Sequence, residues 1–371
     1  MKRTVLFLFL SFLGLSACAD RSVVEVVPEA LTIGTPQTVF AATTRALTPE
    51  GTFGGDRSVE HSLVEMTISV PPNRKPGGLD EAYGNPNPST QFVLANQKTF
   101  QSPQAFETRV RDVTRATDTS GREAMIYVHG FNTTHTESAF RAAQLAHDLE
   151  LPGAHLIYSW PSRGSPLAYA YDGESALIAR DGLENLLRRV EASGVDNIVL
   201  VAHSMGSVLV METLRQIEIA NPGWSQRSLG GIILFSPDLD IDLFRAQLNR
   251  IPNPPEPFVV FVSNKDKILG LSQRLRGTHS RERLGNIESA ETVADLPIEI
   301  VDTSDFSSEA ESSHFVAASS PTLVKVLNNA SEVAEALGED RSAVQNLLPG
   351  VVVKYDEATE IELLSPPDTS G

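Results

Sequence analysis

From residue 124 onward, short unbroken apolar runs alternate with stretches in which apolar residues recur at every third or fourth position. The runs at 124–128, 155–159, 198–202, 231–235, 258–262 and 298–301 have the length of strands buried on both faces of a parallel sheet. Helical spacing over 137–149, 175–193 and 207–220 fills most of the gaps between them, and this alternation predicts an α/β class, doubly wound. Upstream, 38–44 and 63–70 alternate only in part and are expected near a sheet edge with one face covered. Residues 71–89, rich in Pro, Gly and Asn, are loop. No stretch repeats at a fixed period, so neither a solenoid nor a propeller is indicated.

The most informative stretch is 197–210, where an apolar strand passes through Ala202-His203-Ser204-Met205-Gly206 into a helix. Small-x-Ser-x-Gly at such a junction is the nucleophile elbow. It strains the backbone so that the serine hydroxyl sits at the tip of the turn, above the helix N-terminus. The first small residue is Ala202 where Gly is usual, which asks for a slightly looser approach on the strand side.

Parallel sheets carry their functional residues at the carboxyl ends of strands. The run at 124–128 exits into His129-Gly130-Phe131-Asn132, a turn suited to an oxyanion loop. The Phe131 N–H would pair with the N–H after the nucleophile, that of Met205, to hold a tetrahedral oxyanion. His129 reads as structural. The next exit, Ser159-Trp160-Pro161-Ser162, offers Trp160 either as a pocket wall or as plain packing, and Tyr169, Tyr171 and Asp172 follow as a candidate cap.

A hydrolytic triad on such a sheet runs Ser, acid, His in chain order. Of the eight histidines, only His279 and His314 lie downstream of Ser204 and the acid candidates. His279 sits in an Arg-rich loop before the last strand, whereas His314 follows it, so His314 is the expected base. For the acid, Asp266 lies just past the penultimate strand, while Asp238 and Asp240 lie one strand earlier. Asp266 is preferred, because its loop is polar and leads towards the His strand. Asp238 could instead cap the next helix, and Asp266 could pair with Lys265 or Lys267.

Charge and the N-terminus add a location. Lys2 and Arg3 precede an apolar run over 5–15 that is too short to span a bilayer but fits a signal peptide. The run ends Leu15-Ser16-Ala17-Cys18, which resembles the lipobox of bacterial lipoproteins, and Cys18 is the only cysteine of the chain. The expected organisation is a signal peptide over 1–17, a tether over 18–36, a folded domain over 37–330 and an acidic extension over 331–371 that packs weakly or not at all. Ala19 rather than Asp after the cysteine suggests, by the same resemblance, the outer membrane facing the periplasm. A net charge of −17, or −19 once Lys2 and Arg3 are removed, argues against nucleic-acid partners and leaves membrane contact to the acyl chains.

Together, the His129, Tyr158, Ala202, Ser236 and Ser263 segments (His-Gly-Phe-Asn, Tyr-Ser-Trp-Pro-Ser, Ala-His-Ser-Met-Gly, Ser-Pro-Asp, Ser-Asn-Lys-Asp) resemble a bacterial α/β-hydrolase family of unknown function, grouped with the esterase/lipase superfamily. The similarity covers roughly residues 39–328. It implies the α/β-hydrolase fold, a mostly parallel sheet of about eight strands with helices on both faces. It also implies an acyl-transfer esterase using Ser204, His314 and Asp266 on a small-molecule acyl ester. No metal or organic cofactor is expected, since no His or Cys pair stands at ligand spacing. The competing expectation is a non-catalytic envelope lipoprotein that uses the fold as a binding module.

Overall fold

The computed structural model describes residues 21–81, 84–116, 122–269, 272, 283–287, 290–308, 310, 314–325, 352–355 and 360–364. Cys18 with its lipobox, and His279, lie outside them, as does most of the 331–371 extension. The predicted parallel strands form β4 (Glu123–Val128), β5 (Ala154–Ser159), β6 (Asn197–His203), β7 (Leu229–Phe235), β8 (Phe258–Val262) and β9 (Glu299–Asp302). Their side chains alternate between two buried layers. Ile126, Leu156, Leu200, Ile232, Val260 and Ile300 face one, and Tyr127, Ile157, Val201, Phe235, Phe261 and Val301 the other. Burial on both faces is why these strands read as unbroken apolar runs. At about 1.5–3 kcal/mol for each large side chain, these layers supply the main force holding the sheet.

Three long upstream strands, β1 (Thr35–Leu47), β2 (Phe53–Val70) and β3 (Val93–Thr99), complete a nine-strand body. β1 joins it parallel to β5, with β2 and β3 antiparallel beyond. The α/β-hydrolase fold expected from sequence is present. Beyond β9 lie β10 (Val352–Tyr355) and β11 (Glu360–Leu364), the latter parallel to β9. The extension expected to pack weakly or not at all therefore supplies two strands that cover an otherwise open edge.

Helices α1 (Pro103–Ala116), α2 (His135–Asp148), α3 (Tyr169–Ile178), α4 (Arg180–Ala192) and α5 (Met205–Ala220) pack on the two faces. The single helix expected over 175–193 is two, α3 and α4, broken at Ala179. At the break the Ala179 carbonyl accepts from the Tyr158 hydroxyl at 2.8 Å as well as from Leu183 N at 3.1 Å. The tether expected over 18–36 is also docked from its first described residue. Arg21 pairs with Glu137, the Val27 N–H donates to the Leu94 carbonyl, and Ala30 is fully buried.

The strand order β5-β4-β6 places the site. The chain leaves β4 towards β5 on one side and returns as β6 on the other. The loops that follow β4 and β6 therefore stand side by side at a switch point, where open α/β sheets form a crevice.

Candidate active site

Ser204 lies between β6 and α5 with φ 52° and ψ −122°, a conformation that costs a non-glycine residue of order 1–3 kcal/mol. The surrounding bonds hold it there. Its N–H donates to the Phe235 carbonyl at 3.0 Å, and its own carbonyl accepts from Ser207 N at 3.0 Å and Asp238 N at 3.2 Å. The glycine two residues on is required by space, since a Cβ at Gly206 would stand 2.5 Å from the carbonyl oxygens of Val128 and His129. Ala202 is fully buried between β4 and β7, so the strand side accommodates its methyl group.

The loop after β4 closes on the serine. A Cβ at Gly130 would meet Ser204 Cβ at 2.9 Å, so backbone and serine approach as closely as a glycine allows. Phe131 follows, and among the described residues its N–H has no protein acceptor. Met205, first residue of α5, has no acceptor within its own helix. Asn132 turns the loop with φ 59° and donates its N–H to Asp172 Oδ2 at 3.3 Å.

His314 and Asp266, 48 residues apart in the chain, are in contact: Nδ1 lies 2.6 Å from Oδ2. Both side chains are buried. His203, the residue before Ser204, packs its ring 4.8 Å from that of His314 and brings Nε2 within 3.2 Å of the His314 carbonyl. Burial, and next the neighbouring His314, hold His203 well below the ordinary histidine range, so it is neutral packing between the elbow and the histidine loop.

The two alternative acids are engaged elsewhere. Asp238 is buried, accepts from Tyr169 Oη at 2.5 Å and Ser272 Oγ at 2.7 Å, and has Arg283 Nε at 3.2 Å. Asp240, not Asp238, caps the next helix, Ile241–Leu248, accepting from Asp242 N and Leu243 N. Lys265 pairs with Asp305, not with Asp266.

Trp160 is fully buried and stacks on His129 at 4.8 Å with 12° between the rings, its indole N–H donating to the His129 carbonyl. It is packing, not a pocket wall. His129 is structural as expected: its nitrogens face the Gly130 and Trp160 carbonyls, and burial, with Arg45 nearby, holds it well below its ordinary range. The candidate cap is α3. Tyr169 joins the Phe131 ring edge-on at 5.2 Å to Asp238, while Asp172, fully buried, takes Ser162 Oγ at 2.5 Å and Arg163 N at 2.9 Å. Burial raises the Asp172 carboxyl above its ordinary range.

One buried cation, Arg45, holds these loops to one another. It donates to the carbonyls of Gly54, Thr133 and Ser162 at 3.0, 2.7 and 2.7 Å, and to Ser159 Oγ at 2.9 Å. Burial lowers its pKa to about 10. The sequence signal was available: a lone charge in the Phe-Ala-Ala-Thr-Thr-Arg-Ala-Leu strand, where an unpaired guanidinium would be costly.

A family model described as alpha/beta hydrolase of unknown function (DUF900) matches residues 102–330. No curated protein matches the chain. Similar solved structures include one of the metagenome-derived lipolytic enzymes LipS and LipT, at 12% identity over 59% of this chain and 96% of that one, with TM-score 0.36. Brefeldin A esterase, a bacterial homologue of human hormone-sensitive lipase, matches at 11% over 92% and 86%, with TM-score 0.37. A fungal esterase from Rhizomucor miehei matches at 12% over 83% and 85%, with TM-score 0.33.

Proposed function

The chain belongs to the family of α/β hydrolases of unknown function, and from that premise we propose that it is a serine esterase of the bacterial cell envelope. The observation that carries the reading is the 2.6 Å contact of His314 with Asp266, beside a strained serine packed on a glycine loop. In this mechanism His314 takes the Ser204 proton as Oγ attacks the ester carbonyl carbon. The Phe131 and Met205 amides stabilise the oxyanion, each such donor contributing about 3 kcal/mol. The C–O bond to the alcohol breaks, with the proton passing from His314 to the leaving oxygen. Water then attacks the acyl-enzyme with His314 as base, releasing the acid and restoring Ser204. Asp266 orients the imidazole and stabilises its charged form.

The envelope location rests on the lipobox: diacylglycerol on the Cys18 thiol, cleavage before it, and an outer-membrane address from Ala19. A fluorophosphonate probe tests the chemistry. Wild-type protein should be labelled at Ser204 and hydrolyse members of an acyl-ester panel, and Ser204→Ala should do neither. Folded wild type that takes up no probe and cleaves no ester would make the binding-module reading the better one. Cys18→Ala tests the anchor, and should move the protein from the membrane to the soluble envelope fraction.

A further inference from the structure

Arg21 is three residues from Cys18, and its bonds end at the candidate site. Its guanidinium pairs with Glu137 at 2.6 Å and donates to Asn132 Oδ1 at 3.1 Å, to the Asn132 carbonyl at 3.3 Å and to the Gly164 carbonyl at 3.3 Å. Asn132 adjoins Phe131 in the loop that packs on Ser204. Three residues of extended chain reach about 10 Å. A lipid carried on Cys18 is therefore tethered within that reach of the Arg21 backbone, whose side chain in turn grips the oxyanion loop at Asn132.

The surface around this point suits a bilayer. Beside Arg21 lies a cavity of about 670 Å³ between the β1–β2 turn and the loop preceding α3, and its rim includes Leu47, Pro49 and Pro166. Leu47 is 60% exposed, and Leu167, next to Pro166, is 95% exposed, among the most exposed large apolar side chains described. The charged residues lining the cavity are Arg21, Arg45, Arg163 and Asp56. Arg21 is paired with Glu137, Arg163 with Asp56, and Arg45 is buried, so within a chain of net charge −17 this apolar-rimmed face carries its charges as pairs. That face need not repel anionic headgroups, and the exposed apolar residues gain by entering the interface.

We propose that the anchored domain lies with the loops around Ser204 against the leaflet that holds its acyl chains, and that its substrate is an ester embedded in that leaflet. The proposal rests on the lipid anchor and the esterase reading above. Orientation would then provide what a free domain must find by diffusion: a serine held at the depth of the ester groups.

Cys18 is the only cysteine and is consumed by the lipid, so a new cysteine can be labelled alone. In lipidated protein on vesicles with nitroxide lipids, a fluorophore on Leu167→Cys should be quenched. One on Ile219→Cys should not be, since it lies fifteen residues along α5, about 22 Å from Ser204. Equal quenching at the two positions, or the reverse order, overturns the proposed orientation. A Gly/Ser spacer of about 20 residues between Asp20 and Arg21, spanning about 25 Å, keeps the anchor but frees the domain. It should lower turnover of a vesicle-embedded ester several-fold and leave a soluble short-chain ester unchanged. Unchanged turnover of both overturns the substrate assignment. Loss of vesicle binding in wild type would sink the anchor reading, and loss of soluble-ester turnover the esterase reading, so the failures are distinguishable.

Discussion

Asp266 divides its carboxylate between two tasks: Oδ2 meets His314 Nδ1 at 2.6 Å, while Oδ1 accepts the N–H groups of Ile268 and Leu269 at 3.0 and 3.1 Å. The backbone bonds fix the carboxylate plane, and through it the imidazole. Asp266→Asn should lower kcat by about 10⁴ with the fold intact, because the amide misdirects the imidazole tautomer. Asp240→Asn should be nearly silent, Asn being as good a cap. Asp238→Asn should cost about 1–3 kcal/mol of stability by disturbing Tyr169, Ser272 and Arg283. Steady-state kinetics and urea melts on the three variants give the ranking.

Ser204→Ala and His314→Ala should each abolish ester turnover, with the double variant scarcely worse than either single one, since nucleophile and base act as a unit. Ser204→Ala leaves the backbone bonds to Phe235, Ser207 and Asp238 in place, so its melting curve should match wild type. Additive losses in the double variant would show that the two residues act independently.

Arg45 is the structural test. Arg45→Met removes the cation from beneath three carbonyls and should cost about 3–5 kcal/mol, the range for a broken buried charge network. Arg45→Lys keeps the charge but loses the fork that reaches Gly54, Ser162 and Thr133 together. It should fold, with kcat down by about 10², the scale of a small misplacement at the reacting centre. If Arg45→Lys has wild-type kcat, the oxyanion loop does not depend on this anchor.

Buried histidines set an acid limit to stability. His135 packs on Phe53 with neither ring nitrogen bonded among the described residues, and burial lowers its pKa to about 3. Unfolded, it would take a proton below about 6.5; folded, it stays neutral, so stability falls as pH drops through 6.5. Between roughly pH 7 and 5.5 this one residue should remove about 1 kcal/mol. His135→Phe should flatten the pH dependence of urea midpoints by that amount, with His129 and His203 still contributing in the same direction.

The body of the sheet was legible because double burial leaves no polar position in Ile198, Leu200 or Ile232 and their neighbours. Chain order pointed to His314 and loop polarity favoured Asp266 over Asp238 and Asp240, and the fold brings Asp266 and His314 into contact. What escaped depends on partners far away in sequence. β3 buries only Val93, Leu94 and Ala95 before turning polar, so its pattern is too short to read. The α3–α4 break at Ala179 lies against the Tyr158 hydroxyl, and docking of 21–36 uses Glu137, more than a hundred residues downstream. Arg45 lies one residue past the stretch 38–44 read as strand, and its acceptors at Gly54, Thr133 and Ser162 are spread over more than a hundred residues.

The family match begins at residue 102, yet Arg45 on β1 carries the loop at Thr133, and β5 lends its free edge to β1. A fragment trimmed to the matched span would therefore contain Ser204, Asp266 and His314 but not the strands that shape their surroundings. Its β5 would present a row of unpaired amides and carbonyls to any passing strand. Residues 35–99 are thus not a detachable preface to the matched span: they cover the sheet edge that the span leaves open, and expression of the short form should give aggregates in place of a smaller enzyme.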